Sequence, residues 1–270
     1  MKRIAILSAA LMLAGAAHAA DNNNGGFSLG VGVDYSSGKY GTNTTTDITS
    51  VPVTAKYTSG SWTYKASLPW LRISGDPNVF PGLGEVPNIN PKGRGHQKGG
   101  GVGAPGTAAP TGTASGIGDL RLAATYTVDT GSPLGVDLTG NVKIATADAD
   151  KGLGTGANDY GLAVDLYRDF SGTTVFGGVG YTQLGNTRYV DVKGVANANV
   201  GASWKIGGGS LGAMYDYRQA ASSIGDPRSE VTGFYSFGAT PASKMQVYAS
   251  AGLSNGSPDW GGGVSYTHGF

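Results

Sequence analysis

From Phe27 onward, apolar side chains return at every second position, in about twelve separate runs. A period of two places them on one face of an extended strand and leaves the other face to their polar neighbours. Phe27, Leu29, Val31, Val33 and Tyr35 alternate with Ser28, Gly30, Gly32 and Asp34. Similar runs occupy residues 48–57, 62–72, 117–128, 134–145, 158–168, 173–183, 192–206, 210–220, 228–238, 244–253 and 260–270. Pro52 interrupts the second run and suggests a bulge there.

This pattern restricts the chain to an all-β fold with one greasy face. Beyond the first twenty residues no run of eighteen apolar residues occurs, so a membrane-crossing helix is not available there. A sheet whose greasy face meets lipid must close on itself, because an open edge strands backbone donors and acceptors in hydrocarbon. Composition fits that solution. The mean hydropathy of −0.13 is too polar for a helical membrane protein, and 14% charged residues is low for a soluble domain. The 48 glycines are interleaved with Val, Leu, Tyr and Phe rather than segregated. The expected fold is a single antiparallel transmembrane β-barrel of about twelve strands over residues 20–270, an even number as bacterial barrels require.

Both ends of the chain support export. Lys2 and Arg3 precede an apolar stretch at 4–14 and an Ala17-His18-Ala19 site, which together read as a signal peptide over 1–19. The run at 260–270 carries Val264, Tyr266 and a terminal Phe270, with His268 the odd member. It looks like the C-terminal assembly signal of outer-membrane barrels, with Tyr266 and Phe270 as the residues read. The last strand is then expected to pair with the strand near Phe27. The destination is the bacterial outer membrane of a Gram-negative cell. The expected partners are the barrel-assembly machinery, outer-membrane lipid and lipopolysaccharide.

The connections alternate in length. Those at 58–60, 129–133, 169–172, 207–209 and 239–243 are short, whereas those at 36–47, 146–157, 185–191 and 221–227 are longer, with 255–259 an exception. Such parity matches short periplasmic turns and longer extracellular loops. Trp62, Trp70, Trp204 and Trp260 fit an aromatic girdle at the two interfaces. One segment stands apart. Residues 75–116, rich in Gly, Pro, Ala and Thr, read as a long extracellular loop that folds into the lumen, covers the mouth or lies in solvent. Its Lys92, Arg94, His96 and Lys98 read as a solvated basic cluster, with attraction of anionic solutes or lipid phosphates as the functional counterpart.

The polar face supplies the candidate pore-lining residues: Asp34, Lys56, Lys65, Asp119, Arg121, Asp137, Lys143, Asp165, Asp216, Arg218 and Glu230. Charges at membrane depth are tolerated where they pair or meet water. They either line a wet pore or close it with ion pairs. Small inward residues, among them Gly161, Gly178, Gly180, Gly201 and Gly212, favour a narrow channel over a solid plug.

Other chemistry finds little support. The absence of Cys excludes a disulfide framework and thiolate metal sites. Beyond His18 the histidines are His96 and His268, and neither sits beside a Ser/Asp pair of catalytic type. No enzyme, cofactor or metal is expected. Asp148-Ala149-Asp150 lacks the later ligands of a Ca²⁺ loop and reads as an acidic turn. The glycines at 152, 154 and 156 precede no helix and read as a flexible outer loop. Without Lys2 and Arg3 the balance is 17 basic against 18 acidic residues, which predicts no nucleic-acid binding.

Ser115-Gly116-Ile117-Gly118-Asp119-Leu120-Arg121 and the strand it opens, with the segment from Gly152 to Leu162, carry a family resemblance. They resemble the outer-membrane β-barrel transporter family described by the meta-pathway of phenol degradation. The likeness covers roughly residues 115–185, and the flanks match only as generic barrel strands. It implies an outer-membrane channel for passive diffusion of small aromatic or hydrophobic solutes. The alternative is a closed barrel that acts in adhesion or surface interaction through its outer loops.

Overall fold

A computed structural model describes residues 26–94 and 111–270. The segment read as a signal peptide, together with His96 and Lys98, lies outside the described residues. The strands are β1 (Gly26–Gly38), β2 (Thr46–Ser59), β3 (Trp62–Gly75), β4 (Val79–Phe80), β5 (Gly84–Glu85), β6 (Gly112–Ile117), β7 (Leu120–Val128), β8 (Leu134–Ile144) and β9 (Asp159–Phe170). They continue as β10 (Thr173–Gln183), β11 (Val195–Ile206), β12 (Gly209–Arg218), β13 (Arg228–Thr240), β14 (Ser243–Gly252) and β15 (Trp260–Gly269).

All except the small β4–β5 hairpin belong to one antiparallel sheet, and it closes: β1 pairs with both β15 and β2, and β2 pairs with β3. β6 and β7 are two halves of one wall strand, since both pair with β3. The described residues therefore form a closed barrel of twelve strands. Trp70 faces Ile117 while Ser67 faces Arg121, so one extra residue is inserted between the halves. The insertion sits opposite Pro69, which has no N–H to give but accepts from Gly118 N–H through its carbonyl at 2.8 Å. The bulge expected at Pro52 does not form. Pro52 faces Pro69 across β2 and β3, and the register passes through without a shift.

The outer wall is apolar along its whole girth. Leu29, Val53, Leu68, Leu122, Leu162, Val200 and Val264 all lie exposed on it. Such a surface is stable against hydrocarbon, and strands of about ten residues suit the thickness of a bilayer core. Trp62 and Trp204 sit near the short-turn end, whereas Trp70 and Trp260 lie toward the long-loop end; all four are exposed on the outside. Among the described residues no helix is long and apolar enough to cross a membrane.

Two sequence boundaries move, and one loop gains structure. The fourth wall strand begins at Gly112 rather than 117, so the loop is shorter than 75–116 at its far end. β11 begins at Val195, not 192, so Lys193 lies exposed on a loop. The loop's near part is also built rather than irregular. Gly75, at φ +140°, turns the chain out of β3 where an added Cβ would strike Thr45 and Thr46. Asp76 N–H then donates to Thr46 Oγ1 at 2.9 Å, and β4 pairs with β5 in a short hairpin.

Candidate functional site

The β4–β5 hairpin is held inside the long-loop mouth by two apolar clusters. Phe80 and Val86 pack with Leu184, Val190, Val192, Val195 and Ala221. Val79 packs with Tyr40, Ile48, Leu71, Ile73 and Leu153. The segment is also stitched to neighbouring loops: Ile89 N–H donates to Tyr189 C=O at 3.0 Å, and Ser222 Oγ donates to Glu85 C=O at 2.9 Å. Of the three placements open to this loop, the described part takes the first and folds into the lumen.

Arg94 is not a solvated charge. It is 4% exposed, and its guanidinium donates to the carbonyls of Gly152 (3.0 Å), Asp76 (2.6 Å) and Val79 (3.0 Å). Burial pulls it down to about 10, which leaves it charged at neutral pH. Lys92, by contrast, is exposed and reaches Asp150 at 3.4 Å. The segment around Gly152 is not a flexible outer loop either. Leu153 is buried in the mouth cluster, and Gly152 lies against Arg94. Asp148 caps a single 3₁₀ turn by accepting from Lys151 N–H. Among the described residues no cluster of His, Asp or Glu could hold a metal.

The tip of the hairpin, Pro81–Gly82, lines two cavities, each about 170 Å³. Pro69, Leu71 and Arg121 also border both, so these residues stand at the junction. The first cavity adds Asp119, Lys143, Asp159, Asn197 and Arg218 to an apolar wall that includes Phe80, Leu83, Leu153 and Val195. The second adds Asp34, Lys65, Asp216, Arg228, Glu230 and Tyr248 around Tyr40, Ile48 and Met214.

Eight of the eleven sequence-chosen lumen residues therefore border a cavity. Lys56, Asp137 and Asp165 stand in the lumen-facing series of their strands, closer to the short turns, and border neither. Lys56 faces Lys65 in register, and Asp137 faces Asp165. Several inward charges are paired. Lys143 Nζ contacts Asp159 at 2.9 Å and Asp119 at 3.4 Å. The same two carboxylates accept Ala147 N–H and Gly185 N–H, which anchors two mouth loops to the wall. Asp34 accepts from Tyr248 Oη at 2.7 Å, and Glu230 pairs with Arg228.

Asp159, Arg228 and Tyr248 also border the cavities, beyond the residues that the sequence pattern singles out. The Arg228-x-Glu230 spacing, two apart and hence on one face, is the sequence signal for one of them.

Inward glycines do not simply leave space. Gly201 faces Phe176, Gly212 faces Phe234, Gly178 faces Asp165, Gly180 faces Asn197 and Gly161 faces Asn141. In each case a Cβ on the glycine would strike the facing side chain. These glycines are seats for bulky partners, and Tyr167, Phe176 and Met214 form a buried cluster with Phe234 against it. The lumen is therefore more filled than a list of small inward residues suggests.

No family model matches the chain, and no curated protein matches it. Solved structures do. The translocator domain of the autotransporter NalP from Neisseria meningitidis matches at 12% identity with a TM-score of 0.50, covering 92% of this chain and 89% of that one. The CymD monoaromatic hydrocarbon channel matches at 11% and 0.46, covering 93% and 89%. The Pseudomonas putida toluene transporter TodX matches at 13% and 0.46, covering 92% and 90%. What the NalP likeness shows is the fold, a bacterial outer-membrane type of β-barrel.

Proposed function

We propose that this barrel is an outer-membrane channel for passive diffusion of small aromatic or hydrophobic solutes. The carrying observation is the mouth: an inward hairpin divides it into two cavities of about 170 Å³ whose walls mix apolar side chains with a few fixed polar groups. Small-molecule sites have that character. A cavity of about 150 Å³ lined by apolar side chains accepts a benzene molecule, so each compartment is of single-ring size. A solute enters between the loops, passes the hairpin tip and meets the mixed-charge lumen with no energy coupling. Asp119, Arg121, Lys143, Asp165, Asp216 and Arg218 tune that passage. The chain reaches the outer membrane after export, with the assembly machinery acting on Tyr266 and Phe270 and lipopolysaccharide surrounding the outer rim.

Reconstituted liposomes test this. Solute flux should exceed that of protein-free vesicles, and replacing residues 77–111 with a short Gly-Ser linker should raise it. A folded barrel with no flux in either form sinks the proposal. It would favour a closed barrel that works through its outer loops, a reading to which the packed Tyr167, Phe176, Met214 and Phe234 cluster lends support.

A further inference from the structure

Two arginines in the first cavity have work that the surrounding protein does not supply. Arg121 stands on β7 and Arg218 on β12, five places apart in a ring of twelve strands and hence nearly opposite. Both border the first cavity. Nε of Arg121, and Nε and Nη2 of Arg218, are buried with no hydrogen-bond partner among the described residues. Arg218 is itself 8% exposed. Buried polar groups are nearly always satisfied, and a buried charged donor left unmet is costly.

Three of the four local carboxylates are otherwise engaged. Asp119 and Asp159 both contact Lys143, and Glu230 contacts Arg228. The fourth, Asp216, lies two residues from Arg218 on the same face and attracts it. Its Oδ2 is buried without a hydrogen-bond partner among the described residues, and it borders the second cavity and not the first. The first cavity thus holds three cations, Arg121, Lys143 and Arg218, against two carboxylates. It has room for one more negative charge. Guanidinium forks match a carboxylate's two oxygens better than any other side chain does. Around them, Leu71, Phe80, Leu83, Leu153, Leu184 and Val195 give the rest of the cavity an apolar wall.

We propose that the first cavity is a carboxylate subsite, and that the solutes it selects are small monocarboxylates with an apolar body of about one ring. The carboxylate sits between Arg121 and Arg218, and the apolar body rests against Phe80, Leu153 and Val195. Because Arg121 borders both cavities, it is the residue that passes the anion from one to the other. This deepens the channel reading and rests on it for the solute's passage, though binding itself is separable.

The test uses the purified, folded barrel in detergent, with benzoate and benzyl alcohol as probes of equal ring size and different charge. Calorimetry should show benzoate binding about tenfold or more tightly than benzyl alcohol. Arg218→Gln and Arg121→Gln should each remove that advantage and leave the alcohol unchanged, with heat-modifiable gel mobility confirming the fold. On the unaltered protein, raising NaCl from about 0.05 to about 0.5 M should weaken benzoate several-fold, because chloride competes for the same guanidinium donors, and leave benzyl alcohol unchanged. Equal affinities, or a benzoate preference that ignores salt, overturn the subsite whether or not the variants fold. Benzoate binding with no benzoate flux into liposomes would uphold the subsite and remove the channel.

Discussion

The backbone N–H of Phe270 donates to the carbonyl of Phe27 at 2.9 Å, one step beyond the Ser28–Gly269 pair that begins the β1–β15 seam. The Phe270 ring lies 5.9 Å from that of Phe27 and 4.9 Å, edge-on, from that of His268. These contacts fasten the end of the seam on the lipid side, away from the lumen. Deleting Phe270 removes one ladder bond and two ring contacts, about 1–2 kcal/mol together. We expect a smaller fraction of folded, heat-modifiable barrel in outer-membrane extracts. Ion selectivity of the surviving barrels should be unchanged; an altered selectivity would contradict the assignment of Phe270 to closure.

How far the sequence could be read follows from what its periodicity encodes. Alternation tells which face a residue takes, so Leu122 and Tyr126 read outward and Arg121 inward without knowledge of their neighbours. It does not tell which residue on the next strand lies opposite. That depends on register, which the turns and the bulge at Gly118–Asp119 set together. Gly201 beside Phe176 was therefore invisible as a pair, although both residues were correctly placed on strands. The mouth was hidden for another reason. Phe80, Val86, Val190, Val192 and Ala221 come from three inter-strand segments with no common period, and they meet only because the barrel brings their loops to one end. Arg94 read as solvated because nothing in its Gly-rich surroundings announces three carbonyls converging on it.

The pairing of glycines with bulky neighbours can be tested directly. Gly212 faces Phe234, and a side chain added there would strike its ring. Gly212→Leu should destabilise the barrel by about 1–3 kcal/mol in urea unfolding. Phe234→Ala should also destabilise it, by about 3–5 kcal/mol. The double variant should recover much of the sum, since the new leucine then fills the vacated space. Strict additivity would show that the two positions do not share that space.

Arg94 offers a test of the hairpin's anchorage. Arg94→Met keeps much of the stem volume but leaves the carbonyls of Asp76, Val79 and Gly152 without their donor. The hairpin should loosen by on the order of 3 kcal/mol, because charge-assisted hydrogen bonds are lost in a buried setting. Limited proteolysis should cut within residues 76–94 at lower protease levels, while the wall strands stay protected. Arg94→Lys should recover only part of the protection, as one ammonium cannot fork to three separated carbonyls. Equal protease resistance in all three proteins would show that the apolar clusters alone hold the hairpin.

Alkaline pH should loosen the same mouth through Tyr40. Its side chain lies in the cluster with Ile48, Leu71, Ile73, Val79 and Leu153, and its hydroxyl is 2.7 Å from Ser36 Oγ. Burial pushes the phenol up to about 12 from its ordinary value near 10. Below about pH 10 the phenol is neutral whether the mouth is closed or open, so Tyr40 contributes its full packing there. Between about 10 and 12 the opened state loses its proton first, and it alone gains from ionisation. Mouth stability should therefore fall as pH rises through that window. The measurement is cleavage of the loop face by an alkali-tolerant protease at pH 8 and pH 11. Cleavage should rise at the higher pH in the unaltered protein. Tyr40→Phe cannot ionise, so its own increase should be smaller, even though loss of the contact with Ser36 raises its cleavage at pH 8. An identical pH response in both proteins would assign the alkaline loosening to other groups.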